Sequence, residues 1–341
     1  MAGRKLNRRQ QWRAEKIQQE RRERLERKQA RLEENLKANG SLGEEQTGLV
    51  IASYGASLEV ESEGGETLRC ALRQNLPLIV VGDRVVWQAA QEGGVVTALL
   101  ERRSLLSRPD AHGELKALAA NLDQIIVVAA PAPAYSTELI DQYLAAAELT
   151  GITPLLLFNK YDLIDEVNRG EVEQLLHRYR DIGYRVLTSS TKVNHGLDEL
   201  IDQLKGHSNV FVGQSGVGKS SLSNALMPGL DIAVKALSER SGLGQHTTST
   251  ARLYHLPQGG DVIDSPGVRE FRLWAMDEAT LADGFREFRP HLGHCKFRDC
   301  RHQQEPGCAL KGAAERGEIT PQRLASYHRI ATQLQQFAEE Y

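Results

Sequence analysis

Between residues 48 and 100 short apolar runs recur at close intervals: Leu49 to Ala52, Leu58 to Val60, Leu68 to Leu72, Arg84 to Trp87 and Val95 to Leu99. Turn signals separate them, among them Gly64-Gly65, Gly82-Asp83 and Gly93-Gly94. Five short strands in about 55 residues predict a small barrel, and an OB-like barrel fits best. Gly40 to Gly48, rich in Gly, Ser and acid, reads as the linker before it. From about residue 112 the pattern becomes one of strands alternating with helices. Ile125 to Val128 is continuously apolar, as a strand buried on both faces of a parallel sheet requires. Ser136 or Thr137 can cap a helix that carries Leu139, Ile140, Tyr143, Leu144 and Ala147 on one face and stops at Gly151. Leu155 to Phe158, Val186 to Leu187, Val210 to Val212 and Asp261 to Ile263 continue as strands, with helices over Glu171 to Tyr179, Leu197 to Leu204 and Ser221 to Leu226. The fold class is therefore multi-domain α/β, with a doubly wound domain after the barrel.

Length fits more than one domain, since 341 residues exceed the ~250 to 300 at which a single core stops growing. No run approaches the ~18 apolar residues of a membrane helix, and residues 1 to 40 hold no apolar stretch for a secretory signal, so a cytoplasmic chain without membrane attachment is expected. Charge is unevenly spread: residues 1 to 40 carry 13 Lys or Arg against 6 Glu, a net of +7, while the remainder carries a net of −10. Such an extension suits a polyanionic partner, though Arg13 to Arg31 interleaved with glutamates is also what a solvated helix looks like. The barrel offers little for base stacking, with Tyr54 and Trp87 its only aromatics, and Trp87 suits packing better than a platform.

Gly213-Gln214-Ser215-Gly216-Val217-Gly218-Lys219-Ser220 fits G-x-x-x-x-G-K-[ST] between a predicted strand and a helix opened by Ser221. Glycines let consecutive amides converge on an anion, the helix N-terminus adds positive potential, Lys219 can reach β- and γ-phosphates, and the Ser220 hydroxyl can ligate magnesium. Asn159-Lys160-Tyr161-Asp162 directly follows a strand and matches N-K-x-D, the guanine-reading motif of GTPases. Asp162 can accept from guanine N1–H and the 2-amino group, and a site built around a buried carboxylate rejects adenine, which leaves it unpaired. Thr188-Ser189-Ser190 ends the next strand, where GTPases supply a backbone N–H to guanine O6. Asp264-Ser265-Pro266-Gly267 matches D-x-x-G, the aspartate holding magnesium through water and the Gly267 N–H sensing the γ-phosphate. Thr247 or Thr248 would ligate magnesium while that phosphate is present. The order is permuted: N-K-x-D and Ser189-Ser190 precede the phosphate loop, which precedes Thr247, Thr248 and Asp264. Joining the usual ends through Lys205 to Ser208 and reopening the chain after the D-x-x-G strand yields the same fold. Many GTPases carry a water-orienting glutamine after D-x-x-G; here that position is Val268, so slow intrinsic turnover is expected, with His246 beside the switch threonines as candidate catalytic group together with Lys219 and Thr248.

Of four cysteines, Cys70 sits alone in a strand and reads as packing. The other three form Cys295-x4-Cys300-x-His302-x5-Cys308, a closed set of soft donors that suits one structural zinc ion, with His291 and His294 as spare ligands nearby.

Together these motifs and their order resemble the circularly permuted GTPases that assist maturation of the small ribosomal subunit, the RsgA (YjeQ/EngC) family. The resemblance spans essentially the whole chain: basic extension 1–40, OB-like barrel 41–108, permuted GTPase domain 109–275 and helical zinc-binding domain 276–341. It implies a monomer that binds small-subunit rRNA near the decoding region, hydrolyses GTP to GDP and phosphate when the subunit stimulates it, and leaves afterwards. It also implies a catalytic role for His246. A GTP-gated RNA-binding module without hydrolysis and a regulatory GTPase with a protein partner are the rival readings.

Overall fold

The computed structural model describes residues 42–55, 57–73, 75–90, 93–109, 115–228, 251–265 and 276–340. The extension 1–40 and the residues His246, Thr247, Thr248, Pro266, Gly267 and Val268 lie outside them. The chain forms two compact units that divide between Arg102 and Arg103. Among the described residues no helix is long and apolar enough to cross a membrane.

In the first unit, β1 (Glu45–Ser53), β2 (Ser57–Ser62), β3 (Thr67–Leu72), β4 (Arg84–Ala89) and β5 (Gly94–Leu99) lie in the order β1-β2-β3-β5-β4. β3 and β5 run parallel, and β4 returns to pair with β1, which closes the barrel. Val50, Leu58, Val60, Cys70, Val85, Trp87 and Val96 fill its interior. The indole of Trp87 needs the glycines around it. A Cβ on Gly48 would stand 2.8 Å from its ring nitrogen, and one on Gly94 would stand 2.9 Å from its six-membered ring. Its N–H donates to the Thr47 carbonyl at 3.3 Å, so Trp87 packs the core. Burial pushes the Cys70 thiol up to about 12, which leaves it an inert packing group. The expected linker through Gly48 is shorter than the sequence suggests, because β1 starts at Glu45. Residues 45–48 pair with β4, from Glu45 opposite Gln88 to Gly48 opposite Val85. Backbone pairing holds that half of the strand while the side chains of residues 45–47 stay exposed, so no apolar alternation marks it.

The second unit opens with a hairpin of β6 (Leu105–Pro109) and β7 (Leu115–Ala120) that goes beyond the strands predicted from sequence. Its central sheet holds β8 (Gln124–Ala129), β9 (Thr153–Phe158), β10 (Arg185–Thr188), β11 (Ser208–Val212), β12 (Ala251–His255) and β13 (Asp261–Asp264), in the order β10-β9-β8-β11-β13-β12. All neighbours are parallel except β12, which runs antiparallel to β13. β8 is buried along its whole length, as its unbroken apolar run requires. The sheet thus consists of two chain-contiguous halves, β8 to β10 and β11 to β13, and α3 (Asp198–Leu204) carries the chain from the edge strand β10 to the central β11. This is the permuted order. Between β8 and β9 runs α1 (Thr137–Thr150), where the Ser136 hydroxyl accepts the Leu139 N–H at 3.3 Å and Gly151 ends the helix in the left-handed region. α2 (Arg169–Asp181) joins β9 to β10, and α4 (Lys219–Leu226) follows β11.

The C-terminal segment comprises α5 (Glu278–Asp283), a 3-10 turn (Arg286–His291), α6 (Ala309–Glu315) and α7 (Pro321–Glu340). Phe285, Phe288 and Tyr327 pack ring against ring in its core, which also takes in Ala145 of α1. One face of α1 is committed to this segment at successive turns. Glu138 receives Arg329 at 2.9 Å, Gln142 donates to Gln333 at 3.1 Å, and Glu148 takes Arg286 at 2.7 Å and Arg289 at 2.9 Å. At the centre Arg323, 1% exposed, donates to Asp141 at 2.5 Å and to Glu287 at 2.6 Å, while the Tyr179 hydroxyl of α2 also donates to Asp141 at 2.7 Å. Burial alone would favour a neutral Arg323, but its two carboxylates outweigh that and hold it charged. Removing one partner from a buried ion pair strands the others. Arg323→Met is therefore expected to cost about 3 to 5 kcal/mol of stability, measured by urea unfolding.

Candidate nucleotide site and metal centre

Parallel strands place their outgoing loops along one edge of a sheet, so motifs distant in sequence gather there without any special device. Asn159 follows β9, Ser189 follows β10, Gly213 follows β11, and Asp264 terminates β13. β11 lies between β8 and β13, so Asp264 ends the strand next to the one that feeds the phosphate loop.

The Asn159 side chain is buried and joins three of these loops. Its amide donates to the Val217 carbonyl at 2.9 Å, and its carbonyl accepts the Ser189 hydroxyl at 3.0 Å. Lys160, in the left-handed region at φ 58°, extends its ammonium to the carbonyls of Ala132 at 2.6 Å and Gly216 at 2.8 Å. These contacts explain two of the loop glycines. Gly218 has φ +101°, and a Cβ there would strike the Asn159 amide; Gly213 has φ +138°, and a Cβ there would strike the Val128 carbonyl. The Lys219 ammonium is held over the loop by the carbonyls of Gly213 at 2.6 Å and Gln214 at 2.8 Å. Gly218 opens α4, and its carbonyl takes the first intrahelical bond, from Leu222 N–H at 2.9 Å. The first-turn positions of that helix are Lys219, Ser220 and Ser221, whose amides have no partner within the helix and suit an anion.

Asp162 sits on a 3-10 turn, Tyr161–Leu163, and is exposed. Expected to be a buried carboxylate, it stands instead at the rim of the loops with one oxygen, Oδ1, accepting the Ser190 hydroxyl at 2.5 Å. Ser189 and Ser190 are both buried, and each orients a motif residue: Ser189 holds Asn159, and Ser190 holds Asp162. Their amides are turned inward, donating to the carbonyls of Phe158 and Gly196 at 3.0 Å. Among the described residues, the amide of Thr191 makes no hydrogen bond. Nothing in its residue type signals that, because a backbone donor leaves no mark in sequence.

Cys295, Cys300, His302 and Cys308 converge, their donor atoms all within 4.8 Å of one another. The Nδ1 of His302 lies 3.5 Å from the sulfur of Cys295 and 3.5 Å from that of Cys308. Tetrahedral zinc with Zn–S of ~2.3 Å and Zn–N of ~2.0 Å separates sulfur from nitrogen by about 3.5 Å, so the donor set fits. Burial holds His302 below its ordinary pKa, which leaves its ring neutral and able to ligate. Its carbonyl accepts from His328 at 2.7 Å, and its φ of 63° turns the loop around the cluster. Of the spare histidines, His291 faces Glu318 at 3.5 Å, and neither His291 nor His294 joins the cluster.

A sequence model of the family described as RsgA GTPase matches residues 99–274. Over 339 residues the chain is 55% identical to the small ribosomal subunit biogenesis GTPase RsgA of Azotobacter vinelandii, covering 98% of both chains. It is 56% identical over 331 residues to the protein of that name from Pseudomonas aeruginosa, covering 97% of each. Among solved structures, YjeQ from Thermotoga maritima superposes with a TM-score of 0.71 at 35% identity, covering 85% of this chain and 99% of that one. YloQ, described as a circularly permuted GTPase, does so with 0.69 at 30% identity, covering 87% of this chain and 96% of that one. A permuted sheet whose loops meet through Asn159, matched along nearly its whole length by these proteins, leaves one assignment: the chain belongs to the RsgA GTPase family.

Proposed function

We propose that this chain is a GTP hydrolase that binds the small ribosomal subunit and assists its late maturation, turning GTP into GDP and phosphate when the subunit stimulates it. The observation that carries the reading is the Asn159 bridge, which fixes the N-K-x-D loop against the G-x-x-x-x-G-K-S loop. In this reading Asp162 accepts from the base with the oxygen that Ser190 leaves available, and the Thr191 amide donates to guanine O6. Gly213 to Ser221 receive the phosphates, with Lys219 released from its loop carbonyls to the β- and γ-oxygens. Ser220, Asp264 and Thr247 or Thr248 would hold magnesium, which neutralises charge on the phosphates. Gly267 would sense the γ-phosphate, and His246, Lys219 and Thr248 would supply the catalytic groups. Residues 1–40, with their net charge of +7, are proposed to bind rRNA. The chain works as a cytoplasmic monomer, built from the barrel, the GTPase domain that takes in the β6–β7 hairpin and the zinc-binding domain 276–341.

The test is phosphate release from GTP and from ATP, with and without purified small subunits. Release is expected from GTP alone, slow by itself and faster with subunits. Asp162→Asn is expected to weaken GTP binding at least about 100-fold, and His246→Ala to bind GTP normally while losing the stimulation. ATP turnover equal to GTP turnover would sink the reading.

Zinc is the ion we propose for Cys295, Cys300, His302 and Cys308, in a closed structural site. Elemental analysis should find one zinc per chain and none in Cys308→Ser, whose melting temperature should fall by several degrees.

A further inference from the structure

The segment between Cys295 and Cys300 is Lys296-Phe297-Arg298-Asp299, and Arg301 follows it. All five side chains are exposed, and Phe297 stands 42% open to solvent although it is a large apolar ring. Its place on the surface is fixed by its neighbours. Cys295 and Cys300 converge on His302 at either end, and the Lys296 amide donates to the Gly307 carbonyl at 3.0 Å. Glu305, the nearest carboxylate along the chain after Asp299, is turned into the loop, where its two oxygens accept the amides of Arg301 at 3.0 Å and Gln303 at 2.9 Å. The ammonium of Lys296 lies 5.5 Å from the centre of the Phe297 ring. Among the described residues, Lys296, Arg298 and Arg301 make no ion pair. Three cations without an ion pair thus lie within four residues of an exposed aromatic ring, with Asp299 the one opposing charge between Cys295 and Arg301.

We infer that this loop is a single-stranded RNA contact, with Phe297 stacking an unpaired base and Lys296, Arg298 and Arg301 holding the flanking phosphates. The inference rests on the reading of the chain as a small-subunit factor and names where the zinc-binding segment would touch rRNA. An exposed aromatic face and unpaired cations are what an unstacked base and its phosphates recognise. A duplex hides its base faces, so the ring gives no advantage there. A protein surface would match the cations with carboxylates and would not require an unpaired base.

Fluorescence anisotropy with the full zinc-loaded chain tests this, using a labelled short single-stranded RNA and the same sequence annealed as a duplex, across a range of salt. Phe297→Ala is expected to weaken single-strand binding about tenfold, leave duplex binding within about twofold, and keep its zinc and its GTP affinity. Phe297→Tyr should restore single-strand binding, because the ring and not its exact size is required. Replacing Lys296, Arg298 and Arg301 by Gln together should flatten the salt dependence by about two units of slope. Unchanged single-strand affinity in Phe297→Ala, or an equal loss on duplex, overturns the inference. So does a variant that binds naked RNA normally yet loses purified small subunits, since the loop would then be reading a ribosomal protein. If the unaltered chain fails to bind small subunits, the functional reading falls, while the naked-RNA comparison still decides the loop.

Discussion

The hydrogen bond from Asn159 to the Val217 carbonyl is the constraint on which the site depends. It links the two halves of the sheet at the point where their outgoing loops meet, and it does so in a place that admits no Cβ on Gly218. Because Asn159 is buried, a broken contact would leave both an amide and a carbonyl without water or partner. The Ser189 hydroxyl and the Lys160 ammonium extend the same joint to the next strand and to the loop after β8. The loop after β9 and the glycine-rich loop after β11 are therefore positioned by one network, with little freedom to drift apart.

Permutation leaves this network intact, because a sheet is indifferent to which neighbouring strands are covalently joined. What it alters is the neighbourhood of the chain ends. The C-terminal segment packs on α1, the helix that follows β8. Asp141 of α1 is shared by Arg323 of α7 and Tyr179 of α2, so the helices behind two site loops and the metal-binding segment meet at one buried carboxylate. Buried charge of this kind contributes little net stability, yet it penalises any other way of seating the segment.

The Cys3His cluster and the barrel illustrate two ways in which a small element keeps its shape. The barrel closes on Trp87, with Gly48 and Gly94 making room and Asp83 buried beneath Arg102 in a paired contact at 2.7 and 2.8 Å. The cysteine cluster leans on the helical core instead: Cys308 is buried in it, Cys295 and Cys300 pack against it, and the four donor groups converge there.

Sequence alone determined the features that depend on local chemistry. The buried strand β8, the Gly151 stop of α1, the phosphate-loop glycines and the Cys3His donor set are each written in residue types at fixed spacing, while the choice of Ser136 over Thr137 as cap waited for the fold. Tertiary structure decided what depends on backbone groups and on long-range partners. The first half of β1 is held by pairing to β4, which side-chain alternation does not record. The inward-facing amides of Ser189 and Ser190, and the open one at Thr191, follow from how the chain leaves β10, with Ser189 bonded to Phe158 and Ser190 to Gly196. Nothing in the sequence sets Arg323 apart from other arginines, and only packing brings Asp141, 182 residues away, against it. Side-chain patterns encode burial and local geometry, whereas hydrogen bonds between distant segments exist only once the chain has closed on itself.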